Sequence, residues 1–152
     1  MMVGLPGAGK STWARENHSE LPIISKDDIR EEFGFKKINE KGPAFGLKEG
    51  IVVETFWKRI LENVKSGKDV VVDDPSNTRG LRDKIKKLLK DFDIHWIYVW
   101  VEAPDIETNI KRREGQLPKG FIRLVQKSFQ PPTEDEYDEI IHIKQTKTNE
   151  KD

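Results

Sequence analysis

The sequence predicts an α/β fold in which a parallel sheet of about five strands carries helices on both faces. Short runs rich in β-branched and aromatic residues alternate with segments of helical period, and a glycine-rich turn follows the first run. At 152 residues the chain has the length of one domain with a single core.

The first strand is "MMV" at 1–3. It is short for a central strand, since strands usually run to about five or six residues. Either the sheet tolerates a stub or the natural chain starts upstream. The second run is "PIIS" at 22–25, followed by "ISKDDIR", where Asp27 or Asp28 is a candidate helix cap. In "GLKEGIVVETFWKRILENVKSGK" Val52, Phe56, Ile60 and Val64 recur every four residues, which predicts an amphipathic helix ended by Gly67. "VVVD" at 70–73 is the third strand. Asn77 or Thr78 then caps a helix whose Leu81, Ile85, Leu88 and Leu89 form one apolar stripe. "IHWIYVWV" at 94–101 and "IIHIK" at 140–144 are the fourth and fifth strands, and "DFDIH" at 91–95 reads as a helix-to-strand turn. The polar ending "QTKTNEKD" predicts a frayed tail, so the domain is expected over 1–145 and a flexible segment over 146–152.

Lys plus Arg number 27 and Asp plus Glu number 27, so no global field draws the molecule to nucleic acid or an anionic membrane. A polyanion must be held by a local cluster. The absence of cysteine excludes disulfides, thiolate metal sites and thiol nucleophiles, and fits a reducing cytoplasm. No apolar stretch approaches the ~20 residues of a membrane span. His18, His95 and His142 are far apart without ligand spacing, which favours surface or packing roles.

The strongest chemical signal is Gly4-Leu-Pro-Gly7-Ala8-Gly9-Lys10-Ser11, which satisfies G-x-x-x-x-G-K-[ST]. From average residue frequencies, a chance match in such a chain is on the order of half a percent. Glycines at these positions let the backbone turn its N–H groups inward at the start of a helix, making a seat for an anion. Lys10 is placed to neutralise the β and γ phosphates of ATP or GTP, Ser11 to offer its hydroxyl to Mg²⁺, and Thr12 to reach the α phosphate region. ATP and Mg²⁺ are therefore the expected cofactors.

The acceptor side is read from "ISKDDIR". Asp27 lies at the carboxyl edge of the sheet, where ligands bind in open α/β folds, and a carboxylate there can take a proton from an attacking hydroxyl. Arg30, one helical turn on, shares its side, and its planar fork suits a phosphate.

These segments together resemble the kinase domain of the phage-type polynucleotide 5′-kinases within the P-loop kinases. The likeness rests on "GLPGAGKSTWARE", "ISKDDIR", "LKEGIVVETFWKRIL", "VVVDDPSN" and "FIRLVQKSF". It implies a P-loop kinase fold with a short lid, roles for Lys10 and Ser11 toward ATP and Mg²⁺, Asp27 as general base for a 5′-hydroxyl, and Arg30 as holder of the acceptor's 3′-phosphate. DNA or RNA, single-stranded or with an accessible end, is the implied substrate. One of Asp73 and Asp74 is expected to order a magnesium water or brace Arg30, with Asp74 favoured, or both simply end the strand and cap the next helix. "KRREGQLPKG" at 111–120 is the expected lid, with Arg112 or Arg113 stabilising the transferring phosphoryl group. Two other readings compete: a P-loop kinase acting on a small molecule, a nucleotide sugar or an aminoacyl-tRNA, and a non-catalytic ATP-binding switch.

Overall fold

The computed structural model describes residues 1–35 and 43–147. Five strands occur where the β-like runs lie: β1 (Met2–Val3), β2 (Ile23–Ile24), β3 (Val71–Val72), β4 (Ile97–Glu102) and β5 (Glu139–Lys144). All their pairings are parallel, but they form two hydrogen-bonded sheets, one ordered β1-β4-β5 and one of β2 with β3. Met2 pairs with Val99, Ile23 with Val71, and β5 follows β4 from Ile97↔Glu139 to Glu102↔Lys144. Two-residue strands such as β1 and β3 make short ladders, and side chains bridge the two sheets: Met2, Val71 and Val99 share one apolar cluster.

The helices are α1 (Lys10–Asn17), α2 (Lys26–Glu32), α3 (Pro43–Lys65), α4 (Arg79–Leu88), α5 (Ile106–Arg112) and α6 (Phe121–Ser128), with a 3-10 turn at Glu134–Glu136. Alternation along the strands sends neighbouring side chains to opposite faces. Val3, Val72 and Tyr98 join Val52, Phe56 and Ile60 of α3 and Ile85 of α4 in the larger cluster, while Met2, Val71, Val99 and Val101 meet Ala14 of α1 in the smaller one. Both faces of the parallel strands are thereby covered. Val52, Phe56 and Ile60 are fully buried, as their fourfold spacing predicts.

Local details depart from the expectation in two places. Ser25 caps α2 by accepting from the Asp28 amide at 3.2 Å, which leaves Asp27 and Asp28 in the first turn. On α4, Thr78 is the cap, and Leu81 is 42% exposed because the first turn faces outward before Ile85 and Leu89 reach the core. α4 is fastened instead by Arg82, fully buried, which donates to Glu136 at 2.7 Å and to the carbonyls of Ser76 and Gln130 at 3.0 and 2.8 Å. Lys147, the second residue of the tail expected over 146–152, pairs with Asp105 at 2.9 Å, and 148–152 lie outside the described residues. Among the described residues no helix is long and apolar enough to cross a membrane.

Candidate nucleotide and phosphoryl-transfer site

β1 delivers the chain to the glycine loop and α1 takes it away. The Ala8 amide donates to the Leu5 carbonyl at 3.0 Å, closing a turn inside the loop. Gly7 adopts φ +79° with its α-carbon pressed against α5: a Cβ there would lie 2.5 Å from the Asn109 carbonyl oxygen and 3.1 Å from Arg113 Cγ. No side chain can replace it. α1 starts from Gly9 without a side-chain cap and without an acidic residue in its first turn, so no group of its own neutralises its positive end. Thr12 is exposed in that turn.

Lys10 is 9% exposed, and its ammonium donates to the carbonyls of Gly4 and Leu5 at 2.7 and 3.1 Å. Burial pulls its pKa down to about 8, opposed mainly by the charge of Asp73. Arg113 lowers it further, while Asp74 and Asp27 raise it. Four residues from three separate segments thus act electrostatically on one ammonium.

Ser11 Oγ donates to Asp73 Oδ2 at 2.6 Å. Asp74, one residue on, points elsewhere: Oδ2 pairs with Lys26 at 3.3 Å, Oδ1 is buried without a hydrogen bond, and burial pushes its carboxyl pKa up. The acid at the loop's hydroxyl is therefore Asp73, and Asp74 braces Lys26 rather than Arg30. The same turn of β3 into α4 leaves Ser76 Oγ and Asn77 Oδ1 buried and unpartnered.

On the acceptor side α2 brings Asp27 and Arg30 together. Arg30 Nη1 donates to Asp27 at 2.7 Å, and its Nε and Nη2 fork onto Glu49 of α3 at 2.7 and 2.9 Å. The hydrogen bonds to Glu49, foremost among several causes, raise the guanidinium pKa further. Asp27 remains 70% exposed and Arg30 28%. Burial also raises the Asp28 carboxyl.

Residues 111–120 comprise the end of α5 and a series of turns. Arg112 donates to the Gly7 carbonyl at 3.1 Å, to the Ala8 carbonyl at 3.5 Å and to Gln145 at 2.9 Å. Arg113 lies with Cγ near Gly7, and its Nε is buried without a partner. Asn109, one turn earlier, donates to the Pro6 carbonyl at 3.0 Å. The sequence reading assigned nothing to Asn109, Glu49, Lys26 or Gln145. Asn109 was findable, because spacings of three and four put it on the helix face of Arg112 and Arg113. Gln145 carries no sequence signal at all.

Among the described residues no cluster of three or more His, Cys, Asp or Glu could hold a metal by itself. The Ser11 hydroxyl and Asp73 carboxylate nevertheless suit Mg²⁺, which takes few protein oxygens and completes its shell with water and substrate phosphate.

A family model described as an AAA domain matches residues 1–132. The L-seryl-tRNA(Sec) kinase of Methanococcus maripaludis is 24% identical in an alignment of length 142 that covers 87% of this chain and 52% of that protein. The chain spans about half the length of this curated relative. A crystal structure from Chloroflexus aurantiacus j-10-fl, provisionally described as a kinase, superposes with TM-score 0.70 at 17% identity, covering 99% of this chain and 87% of its own. The APS kinase of Mycobacterium tuberculosis, solved with AMPPNP and APS, gives 0.53 at 17% identity, covering 93% and 85%. With the glycine loop seated between β1 and α1 and these structures sharing its P-loop kinase fold, the chain belongs to the AAA-domain family.

Proposed function

We propose that this chain is an ATP-dependent phosphotransferase that moves the γ-phosphoryl group to the 5′-hydroxyl of DNA or RNA. The observation that carries the phosphotransfer reading is the 2.6 Å contact of Ser11 with Asp73 beside a buried Lys10 whose ammonium also feels Asp27. Kinase names among the relatives support it. The polynucleotide acceptor is supported by the combination of "STWARE" and "DDIR" in one chain.

In this reading Lys10 exchanges its loop carbonyls for the β and γ phosphates. Ser11 and Asp73 would hold Mg²⁺, which when bound would supply charge neutralisation for the phosphates. Asp27 accepts the proton of the acceptor hydroxyl as that oxygen bonds to the γ phosphorus and the bond to the β-γ bridging oxygen breaks, leaving ADP. Arg113 is the arginine directed at the transferring group, because Arg112 is engaged by two loop carbonyls and Gln145.

A second acceptor reading has its own support. Arg30 already meets two carboxylates, which makes the triad with Asp27 and Glu49 net negative and a poor seat for a 3′-phosphate. A hydroxyl without a neighbouring phosphate, on an aminoacyl-tRNA or a small molecule, avoids that conflict. Labelled ATP offered with 5′-hydroxyl DNA and RNA oligonucleotides, seryl-tRNA and a sugar panel separates the readings. Transfer to the oligonucleotides is expected. Transfer only to the other acceptors moves the assignment to them, and nucleotide binding with no transfer at all leaves a switch module.

A further inference from the structure

We infer that Gln145 is a positioning residue of the nucleotide site, holding the Ala8–Gly9 peptide so that the Gly9 N–H faces the phosphates. The inference rests on the nucleotide-binding reading above and adds a residue from the far end of the fold. Gln145 follows β5, and its own amide donates to the Glu102 carbonyl at 3.0 Å, continuing the β4–β5 ladder by one bond. Its side chain then works in two directions. Nε2 donates to the Ala8 carbonyl at 2.9 Å, and Oε1 accepts from Arg112 Nη2 at 2.9 Å.

A trans peptide points its C=O and N–H to opposite sides. Securing the Ala8 carbonyl on the outer side of the loop therefore turns the Gly9 N–H to the inner side. Asn109 does the same one step earlier: its bond to the Pro6 carbonyl turns the Gly7 N–H inward. Arg112 secures the Gly7 carbonyl, whose paired Ala8 N–H is already used in the Leu5 turn. Three side chains thus grip successive outer carbonyls of the loop. Gln145 is the member contributed from beyond α5, and it also orients Arg112. The contact is tight enough that a Cβ on Gly9 would sit 2.9 Å from Gln145 Nε2, with φ at +101°. The backbone conformation demands glycine at position 9, and a side chain there would also push the Gln145 amide away from the Ala8 carbonyl.

Replacing the amide nitrogen by oxygen isolates the donor. Gln145→Glu can still accept from Arg112 but offers nothing to the Ala8 carbonyl, whereas Gln145→Ala removes both contacts. AMPPNP binding by calorimetry with Mg²⁺ is expected to weaken about tenfold in both variants, the scale of one hydrogen bond at a charged site. In ¹⁵N-glycine spectra, the Gly9 amide shift that AMPPNP produces in the unsubstituted protein is expected to shrink in both, with unchanged melting temperatures showing that they remain folded. A Gln145→Glu protein that binds AMPPNP as tightly as the unsubstituted one, with the same Gly9 shift, overturns the inference and leaves the nucleotide reading standing. Failure of the unsubstituted protein to bind AMPPNP overturns both.

Discussion

Asp73 and Asp74 are neighbours in sequence with opposite surroundings. The chain turns between them, so one carboxylate meets Ser11 and the other meets Lys26. Their substitutions are expected to differ accordingly. Asp73→Asn should lower kcat by about 10²–10³-fold, the range for removing one electrostatic partner of a reacting group. Asp74→Asn should change it only a few-fold, and steady-state transfer from labelled ATP measures both. Sequence alone could not divide these roles, because adjacent acids at a strand end carry the same signal. Lys10, Ser11 and the glycines were legible because the loop's chemistry fixes both residue types and spacing.

A second residue-scale prediction concerns Asp105, the cap of α5. It accepts from the Thr108 amide and hydroxyl, both at 2.8 Å, and pairs with Lys147. The Lys147 bond first, then those from Thr108, holds its pKa down to about 2 against an ordinary value of 3.8. A carboxylate depressed by folding stabilises the native state above its unfolded pKa, and this stabilisation fades as pH falls through its folded pKa. Asp105→Ala should therefore melt at a lower temperature than the unsubstituted protein between pH 5 and 7, with the gap closing toward about pH 2. Thermal unfolding across that range checks it.

At the scale of elements, α4 is held by Arg82 as well as by Ile85 and Leu89 of its apolar stripe. The guanidinium is fully buried with Glu136 and two backbone carbonyls, linking the helix to the 3-10 turn and to the loop after β3. Removing one partner leaves an uncompensated buried charge, so Arg82→Met is expected to cost about 3–5 kcal/mol in urea unfolding. Adding Glu136→Leu should recover much of that loss. The sequence pattern carried α3 well, because an apolar residue on each of four successive turns, at 52, 56, 60 and 64, leaves one choice of inner face. It carried α4 less well: period alone places Leu81 with Ile85, while the outward first turn exposes it. Ser25 was hidden for a related reason, since three candidates of capping chemistry, Ser25, Asp27 and Asp28, crowd the start of α2. Lys26 and Glu49 look like ordinary surface charges until α2 and α3 are packed together.

For the whole molecule, balanced charge sets the expected salt response. With 27 basic and 27 acidic residues, the proposed polynucleotide kinase would grip only the end of its acceptor and touch few phosphates. The slope of log K against log salt should then be shallow, about −0.7 for each phosphate contacted on a single strand. Titrations of a 5′-hydroxyl oligonucleotide between 50 and 200 mM salt, about the window in which strong binders lose several decades, test this. The existence and order of all five strands were legible from composition. Their pairing was not, because no local feature says that β1 lies beside β4 or that the residue after β5 will reach the glycine loop.

The β1–β4 ladder joins residue 2 to residue 99, so the strand that launches the loop finds its partner only after most of the chain has been threaded. Such distant pairings are slow to search for. During refolding, helical circular dichroism should recover before the capacity to capture AMPPNP does. The anion seat is then the last competence the molecule acquires, and the first it loses when β1 peels away.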